Sequence, residues 1–448
     1  MRAESQLAGD PADQPTVRPD AHPDDHPDDH PDAHRAIETV WRMESAKLIA
    51  GLTRIVRDVG LAEELAQEAL VAALEQWPTE GVPPKPAAWL MTIAKRRGID
   101  RLRREERRDQ KYAEIARDLD VEQGDHAAEV AAALDDHIED DLLRLVFVAC
   151  HPVLSTDARL AMTLRVIGGL RTDEIARAFL VPEATIAQRI VRAKRTLAAS
   201  GVPFEIPEGA DRAARLSSVL EVIYLIFNEG YAATAGDDWL RPALCDEALR
   251  LGRILAELAP GEAEVHGLVA LMEIQASRAS ARVDVSGEPV LLLDQDRGRW
   301  DQLLIRRGLT ALERADSLGQ PAGPYVVQAA IAACHARART PEETDWTRIV
   351  GLYGVLAAMV SSPVVELNRA VAVGMARGPA EGLALVDALV AEGALAEYHL
   401  LPSVRGDLLV KLDRQEEARA EFERAASLTR NERERSLLLG RAADCASG

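Results

Sequence analysis

The chain has 448 residues, 47% of them hydrophobic, 28% charged and only 4% aromatic, with a formal net charge of −20. That length suggests roughly two to four domains with sizeable cores. A charge this negative excludes a protein that coats nucleic acid over its whole surface. The excess of Ala, Leu, Arg and Glu favours helices over strands, so an all-α fold is expected. No run of about 18 apolar residues occurs, so no spanning helix is expected. The acidic N-terminus carries no signal-peptide pattern, and a cytoplasmic protein is expected. Cys150, Cys245, Cys334 and Cys445 are far apart and form no CxxC pair, and read as free thiols.

In chain order, residues 1–34 are a low-complexity Asp/Pro/His tail with a four-residue beat. Few apolar side chains offset its ordering entropy, so it reads as disordered. His22, His26, His30 and His34 offer weak transition-metal binding against the plainer reading of a solvated tail. Residues 35–108 are helical: Leu48, Leu52, Ile55 and Val59, then Leu61, Leu65, Ala69 and Ala72, recur at helical spacing. Trp77-Pro78 and the stretch Glu80 to Pro86 read as a break. A third helix then runs through Trp89, Leu90, Ile93 and Ala94 into a basic segment.

Charge is segregated along the chain. Residues 95–108 carry eight Lys/Arg against Asp100, Glu105 and Glu106, whereas 109–141 carry twelve Asp/Glu against Lys111 and Arg117. Residues 109–139 are therefore expected to form an acidic linker. Helical spacing resumes in 140–202, with Leu142, Leu145, Val146 and Val148, then Leu160, Leu164 and Ile167.

Leu170 to Ile186 has the length and beat of the first part of a helix-turn-helix. Thr172 is placed to cap the first helix, with Asp173 and Glu174 at its positive end and Ile175, Ala176 and Phe179 facing inward. Pro182 suits the first position of the second helix. There Ile186, Ile190, Ala193 and Leu197 make the buried stripe, so Thr185, Gln188, Arg189, Arg192 and Arg195 face out. Residues near the start of such a helix reach base edges: Thr185, Gln188 and Arg189. Arg192, Lys194 and Arg195 are placed for phosphate. Basic helical faces are often plain solvated surface. The turn, the stripe and the lack of acids from Ala184 to Ala199 favour DNA.

Residues 211–448 read as successive helices: Leu216–Phe227, Pro242–Leu258, Glu262–Ser277, Asp301–Ser317, Tyr325–Arg337, Trp346–Val360 and Val364–Ala376. Pro289-Val290-Leu291-Leu292-Leu293 alone looks strand-like. At an offset of 36, Ala370, Val373, Gly382 and Val386 correspond to Gly406, Leu409, Ala418 and Phe422. Small residues beside large ones at this period suggest tetratricopeptide-like packing, against ordinary antiparallel helices.

The segment Trp89 to Arg104 resembles region 2.4 of extracytoplasmic-function (sigma-70 family) RNA polymerase sigma factors. Ala62-Glu63-Glu64-Leu65-Ala66-Gln67-Glu68-Ala69 resembles region 2.2, and 170–197 resembles region 4.2. The stretches Tyr224 to Tyr231 and Leu293 to Asp301 resemble the sigma-factor group with a tetratricopeptide-like C-terminal extension. Two features depart from the pattern. Trp41 to Ser45 lacks the aromatic-rich region 2.1, and the recognition helix opens with Pro182-Glu183, so no −35 sequence is transferred.

The resemblance implies a division of labour. Region 4 would bind the −35 element through Thr185, Gln188, Arg189, Arg192, Lys194 and Arg195. Region 2 would bind the opening −10 element through Lys85, Trp89, Lys95, Arg96, Arg97, Arg101, Arg103 and Arg104, with a pocket in the loop Pro78 to Pro86. Glu64, Gln67 and Glu68 would meet core RNA polymerase, and the acidic linker would thread its RNA exit channel. The extension would serve a regulatory partner or an intramolecular contact. For Tyr224 and Phe227 a core role is the expectation, and Asp294, Asp296 and Arg297 suggest an ion-pair corner, the commoner outcome at such spacing, or a ligand contact. A one-component regulator with a sensing repeat domain would leave the 62–104 motifs idle, and a protein scaffold would show no salt-dependent DNA binding. No GxxxxGK[ST], HExxH or GxSxG stretch is present. No catalytic residue, cofactor or metal site outside the tail is therefore expected.

Overall fold

The computed structural model describes residues 31–113, 138–232, 240–284 and 288–447. The first 30 residues of the tail and residues 114–137 of the acidic linker lie outside the described residues, and so do the expectations placed on them.

Helices α1 (Pro31–Val56), α2 (Val59–Glu80) and α3 (Pro86–Ala113) form the first bundle. Ile37, Leu48, Ile49 and Leu52 of α1 pack with Leu65, Ala66, Ala69, Ala73 and Trp77 of α2 and Leu90 and Ala94 of α3. The run of alanines lets α2 lie close to its neighbours. At Gly98 an ideal Cβ would stand 3.1 Å from Leu65 Cδ1, so α3 crosses α2 with almost no room to spare. Asp58 caps α2 by accepting from the Leu61 N–H at 2.8 Å.

Three boundaries shift. α1 begins at Pro31, so the last four residues assigned to the tail, His34 included, are helical. The linker gives Asp109–Ala113 to α3 and Ile138–Glu139 to the next helix. Pro78 lies inside α2, which ends two residues later at Glu80 with Gly81 at φ 88°. A proline in the last turn costs only the bond to Leu74, which is why it did not stop the helix where the sequence suggested.

The second unit holds α4 (Ile138–Ala149), α5 (Thr156–Val166), α6 (Thr172–Ala178) and α7 (Glu183–Ala199). The extension continues with α8 (Gly209–Tyr231), α9 (Pro242–Leu258), α10 (Ala263–Ala276), α11 (Gln302–Ser317), α12 (Pro324–Arg337) and α13 (Trp346–Met359). It ends with α14 (Pro363–Arg377), α15 (Pro379–Ala391), α16 (Leu400–Val410), α17 (Gln415–Leu428) and α18 (Glu432–Ser447). One apolar core runs from Ile37 through Phe147, Leu164, Ile190 and Phe227 to Met272. The first extension helices thus share a core with both preceding units.

The strand-like run is not a strand. Among the described residues only an isolated bridge joins Val283 to Pro289, and Leu291 is exposed. The 36-residue offset is visible in the backbone: α15 begins at Pro379 and α17 at Gln415. Gly382 lies against Ala370 O and Gly374, while Gly406 lies against the Phe422 ring, close approaches that a side chain at either glycine would block. The four cysteines are free thiols, Cys150 and Cys334 buried.

Candidate nucleic-acid interface

Helix α7, the second of the helix-turn-helix, buries the stripe expected for it: Ile186, Ile190, Ala193 and Leu197 are all in the core. Leu180, at φ 50° and exposed, makes the turn before it. The cap of α6 is Arg171 rather than Thr172, because the Glu174 carboxylate reaches back to the Arg171 N–H at 2.8 Å. Pro182 likewise precedes α7 rather than opening it, and its carbonyl accepts from Thr185 N at 2.9 Å. Gln188, Arg192 and Arg195 are exposed on the outer face. Thr185, Arg189 and Lys194 are half-buried. Arg189 is paired with Asp157 of α5 at 2.8 Å.

On α3 and just before it, Lys85, Arg96, Arg97, Arg101, Arg103 and Arg104 are exposed. Lys95 is half-buried, and burial followed by the nearby Arg54 charge lowers its pKa. Trp89 meets Trp77 edge to face at 5.4 Å, which anchors the start of the helix. Two of the cations are already engaged: Arg97 donates to Glu68 O at 2.9 Å, with its carboxylate at 3.4 Å, and Arg101 lies 3.2 Å from Glu64. The residues expected to meet polymerase therefore share one face with part of the −10 set. Gln67 turns instead to Glu63, donating at 2.6 Å.

Glu63 is the residue that sequence reasoning missed. It is 2% exposed, yet it receives Arg165 Nε of α5 at 2.6 Å and Lys194 Nζ of α7 at 2.7 Å. Asp141 of α4, 1% exposed, returns the arrangement by taking Arg54 of α1 at 3.3 Å and Arg144 at 2.7 Å. Each unit thus buries a carboxylate that is neutralised partly by cations of the other. A signal was present: Glu63 sits on the same stripe as Val59, Ala66 and Ala69, where an acid calls for a buried partner.

The extension grips the second unit from the other side. Arg159 reaches Glu221 at 3.0 Å, and Ser218 donates to Cys150 O at 2.7 Å. Arg241 donates to Ala178 O, the last residue of α6, at 2.6 Å and pairs with Glu229, while Arg250 donates to Ile167 O at 3.0 Å. Phe227 is fully buried and Tyr224 stacks edge to face on Tyr325, as expected of core residues. Gly230 is required by contact: its Cβ would fall 2.6 Å from Cys245 N.

With this geometry the comparisons are decisive. Residues 41–108 match the family Sigma-70 region 2, residues 144–197 match Sigma-70, region 4, and residues 215–316 match a family of unknown function, DUF6596. An uncharacterized protein of Rhizobium meliloti (strain 1021) is 47% identical over 385 residues, 86% of this chain and 89% of that one. The ECF RNA polymerase sigma factor SigK of Mycobacterium ulcerans (strain Agy99) is 33% identical over 153 residues, 33% of this chain and 75% of its own. The chain belongs to the ECF RNA polymerase sigma factor family. SigK of Mycobacterium sp. (strain KMS) is similar to it as well, 31% identical over 162 residues, 35% of this chain and 77% of that one. No solved structure matches. As a sigma factor the chain directs promoter-specific transcription, and the family implies core RNA polymerase and promoter DNA as partners. No helix among the described residues is long and apolar enough to cross a membrane.

Proposed function

We propose that α7 reads the −35 element as duplex and α3 the −10 element as it opens. The observation that carries this is the pair of basic helices, each with exposed cations that no carboxylate holds among the described residues: Arg192 and Arg195 on α7, and Lys85, Arg96, Arg103 and Arg104 beside or on α3. In this reading Gln188, with Thr185 and Arg189 behind it, contacts base edges, and Arg192 and Arg195 contact phosphate, joined by Lys194 once it leaves Glu63. Glu64, Gln67 and Glu68 are the polymerase contacts of this reading, and the protein acts in the cytoplasm. Residues 35–108 are region 2 and 140–202 region 4, with 211–448 as the extension. The acidic linker between the regions follows the RNA exit channel. Runoff transcription with core polymerase tests the reading: Arg192→Gln with Arg195→Gln abolishes −35-dependent initiation, and Arg96→Gln with Arg103→Gln blocks opening but spares duplex binding.

The described arrangement is a closed one. Lys194 is held by Glu63 and cannot reach phosphate without leaving region 2. Binding to polymerase, which draws on the neighbouring Glu64, Gln67 and Glu68, is the event that parts the two regions. The extension is the regulatory module of this reading. Because it shares a core with region 4, its influence passes through Arg241 and Arg250 to the ends of α6 and α5.

A further inference from the structure

The two stretches of the extension that stood out in the sequence, Tyr224 to Tyr231 and Leu293 to Asp301, end at one corner of the fold. Tyr231 closes α8, and the Arg282 guanidinium carbon lies 3.7 Å from its ring centre. Arg278, just past α10, stands 5.9 Å from the ring centres of both Tyr231 and Trp300. Arg297 stands 5.0 Å from the Trp300 ring centre. Several other arginines of the extension find carboxylates, as in Arg212–Glu262, Arg253–Glu273, Arg369–Glu366 and Arg405–Glu421. Among the described residues neither Arg278 nor Arg297 does.

Arg297 is nine-tenths buried and donates to His335 O at 2.9 Å, Ala338 O at 2.8 Å and Thr344 Oγ1 at 3.0 Å. Burial lowers its pKa, and the neighbouring Arg278 charge adds to that, while Glu342 and Glu343 pull the other way without bonding to it. Glu343 is occupied by the Arg339 N–H at 2.9 Å. Three buried donors at the corner have no acceptor among the described residues: Arg278 Nε, Arg297 Nε and Trp300 Nε1, the indole being 96% buried by its 4% exposure. Two like charges and an idle indole N–H lie together with no carboxylate bonded to them among the described residues, an arrangement that a bound oxyanion would complete. The planar guanidinium fork suits carboxylate and phosphate alike, and flanking rings hold it flat and shield it from water.

We propose that the corner formed by Tyr231, Arg278, Arg297 and Trp300 binds the oxyanion of a small carboxylate or phosphate compound. Arg278 and Arg297 supply the charge, and Trp300 Nε1 supplies a neutral donor that fixes orientation. The site is independent of promoter recognition, and its failure would leave that reading intact.

Isothermal titration of the full chain at fixed ionic strength tests it, with inorganic phosphate, phenyl phosphate, acetate and benzoate as probes and benzylamine as the cationic control. The expected result is binding of one or both oxyanion series at millimolar concentration and none of benzylamine. Arg278→Gln weakens that binding about tenfold or more, Arg278→Lys less, and Trp300→Phe several-fold. Preference between the phosphate and carboxylate arms names the natural ligand class. Binding of none of the four oxyanions, or equal binding by wild type and Arg278→Gln, overturns the proposal. Should Arg278→Gln fail to fold, as read by circular dichroism, Trp300→Phe decides alone: unchanged affinity overturns it.

Discussion

Replacing Glu63 by Gln keeps the side-chain volume and the hydrogen bond to Gln67 but removes the one charge that Arg165 and Lys194 share. A surface pair would be worth little. This carboxylate is 2% exposed and meets both cations at 2.6 and 2.7 Å. Removing one partner of a fully buried pair costs roughly 3–5 kcal/mol. Here the Arg165 and Lys194 side chains are 21% and 23% exposed, and both regain water when the regions part, so the figure is discounted to about 2 kcal/mol. That corresponds to a shift of about thirty-fold from closed toward open in the free chain. Single-molecule energy transfer between dyes at the exposed positions Leu74 and Val153 reads the separation of region 2 from region 4. The open population grows in Glu63→Gln, and affinity for −35 duplex rises with it because Lys194 is released. A cycle with Arg165→Gln, a residue outside the DNA-reading set, gives a coupling of about 1–3 kcal/mol. A coupling near zero, or an unchanged distance distribution, would refute the reasoning.

Arg192→Gln and Arg195→Gln should each weaken duplex binding by a similar factor on any sequence and lower the salt slope by about one; a sequence-dependent loss would place them on bases instead. Gly98→Val forces a branched side chain into the 3.1 Å gap before Leu65 and should destabilise region 2 by about 1–3 kcal/mol in urea unfolding; full stability would mean that α2 and α3 are not packed as described. Burial, with the Arg278 and Arg297 charges beside it, pulls the pKa of His335 from 6.5 to about 4. The unfolded chain therefore binds the proton first. This contribution is complete above pH 6.5 and is lost as pH falls toward 4, up to about 3 kcal/mol in all. His335→Gln should flatten that slope in unfolding measurements taken between pH 4 and 7, and an unaltered slope would contradict it.

Most of the helical framework was legible because its apolar stripes are regular. Trp346–Val360 became Trp346–Met359, and Tyr325–Arg337 became Pro324–Arg337. What failed depended on partners distant in sequence. Pro289 to Leu293 has strand-like residues, but a strand needs another to pair with, and among the described residues its only pairing is an isolated bridge to Val283 and one bond from the Val290 N–H to Arg282 O. The expected ion-pair corner at Asp294, Asp296 and Arg297 is not formed: Asp296 accepts from the Gly298 N–H, and Arg297 turns inward onto the carbonyls at the end of α12. The basic helices were legible from charge alone. Their present engagements were not: that Arg97 and Arg101 meet Glu68 and Glu64 is decided by how α3 crosses α2, and that Lys194 meets Glu63 by how region 4 lies on region 2.

The most direct test is runoff transcription with purified core polymerase, the full chain and a promoter library. Initiation should occur only on templates carrying both a −10 and a −35 element, and it should be lost when Arg192 and Arg195 are replaced together. Failure of the chain to join core polymerase, or initiation indifferent to the −35 sequence and to those two arginines, would contradict the account.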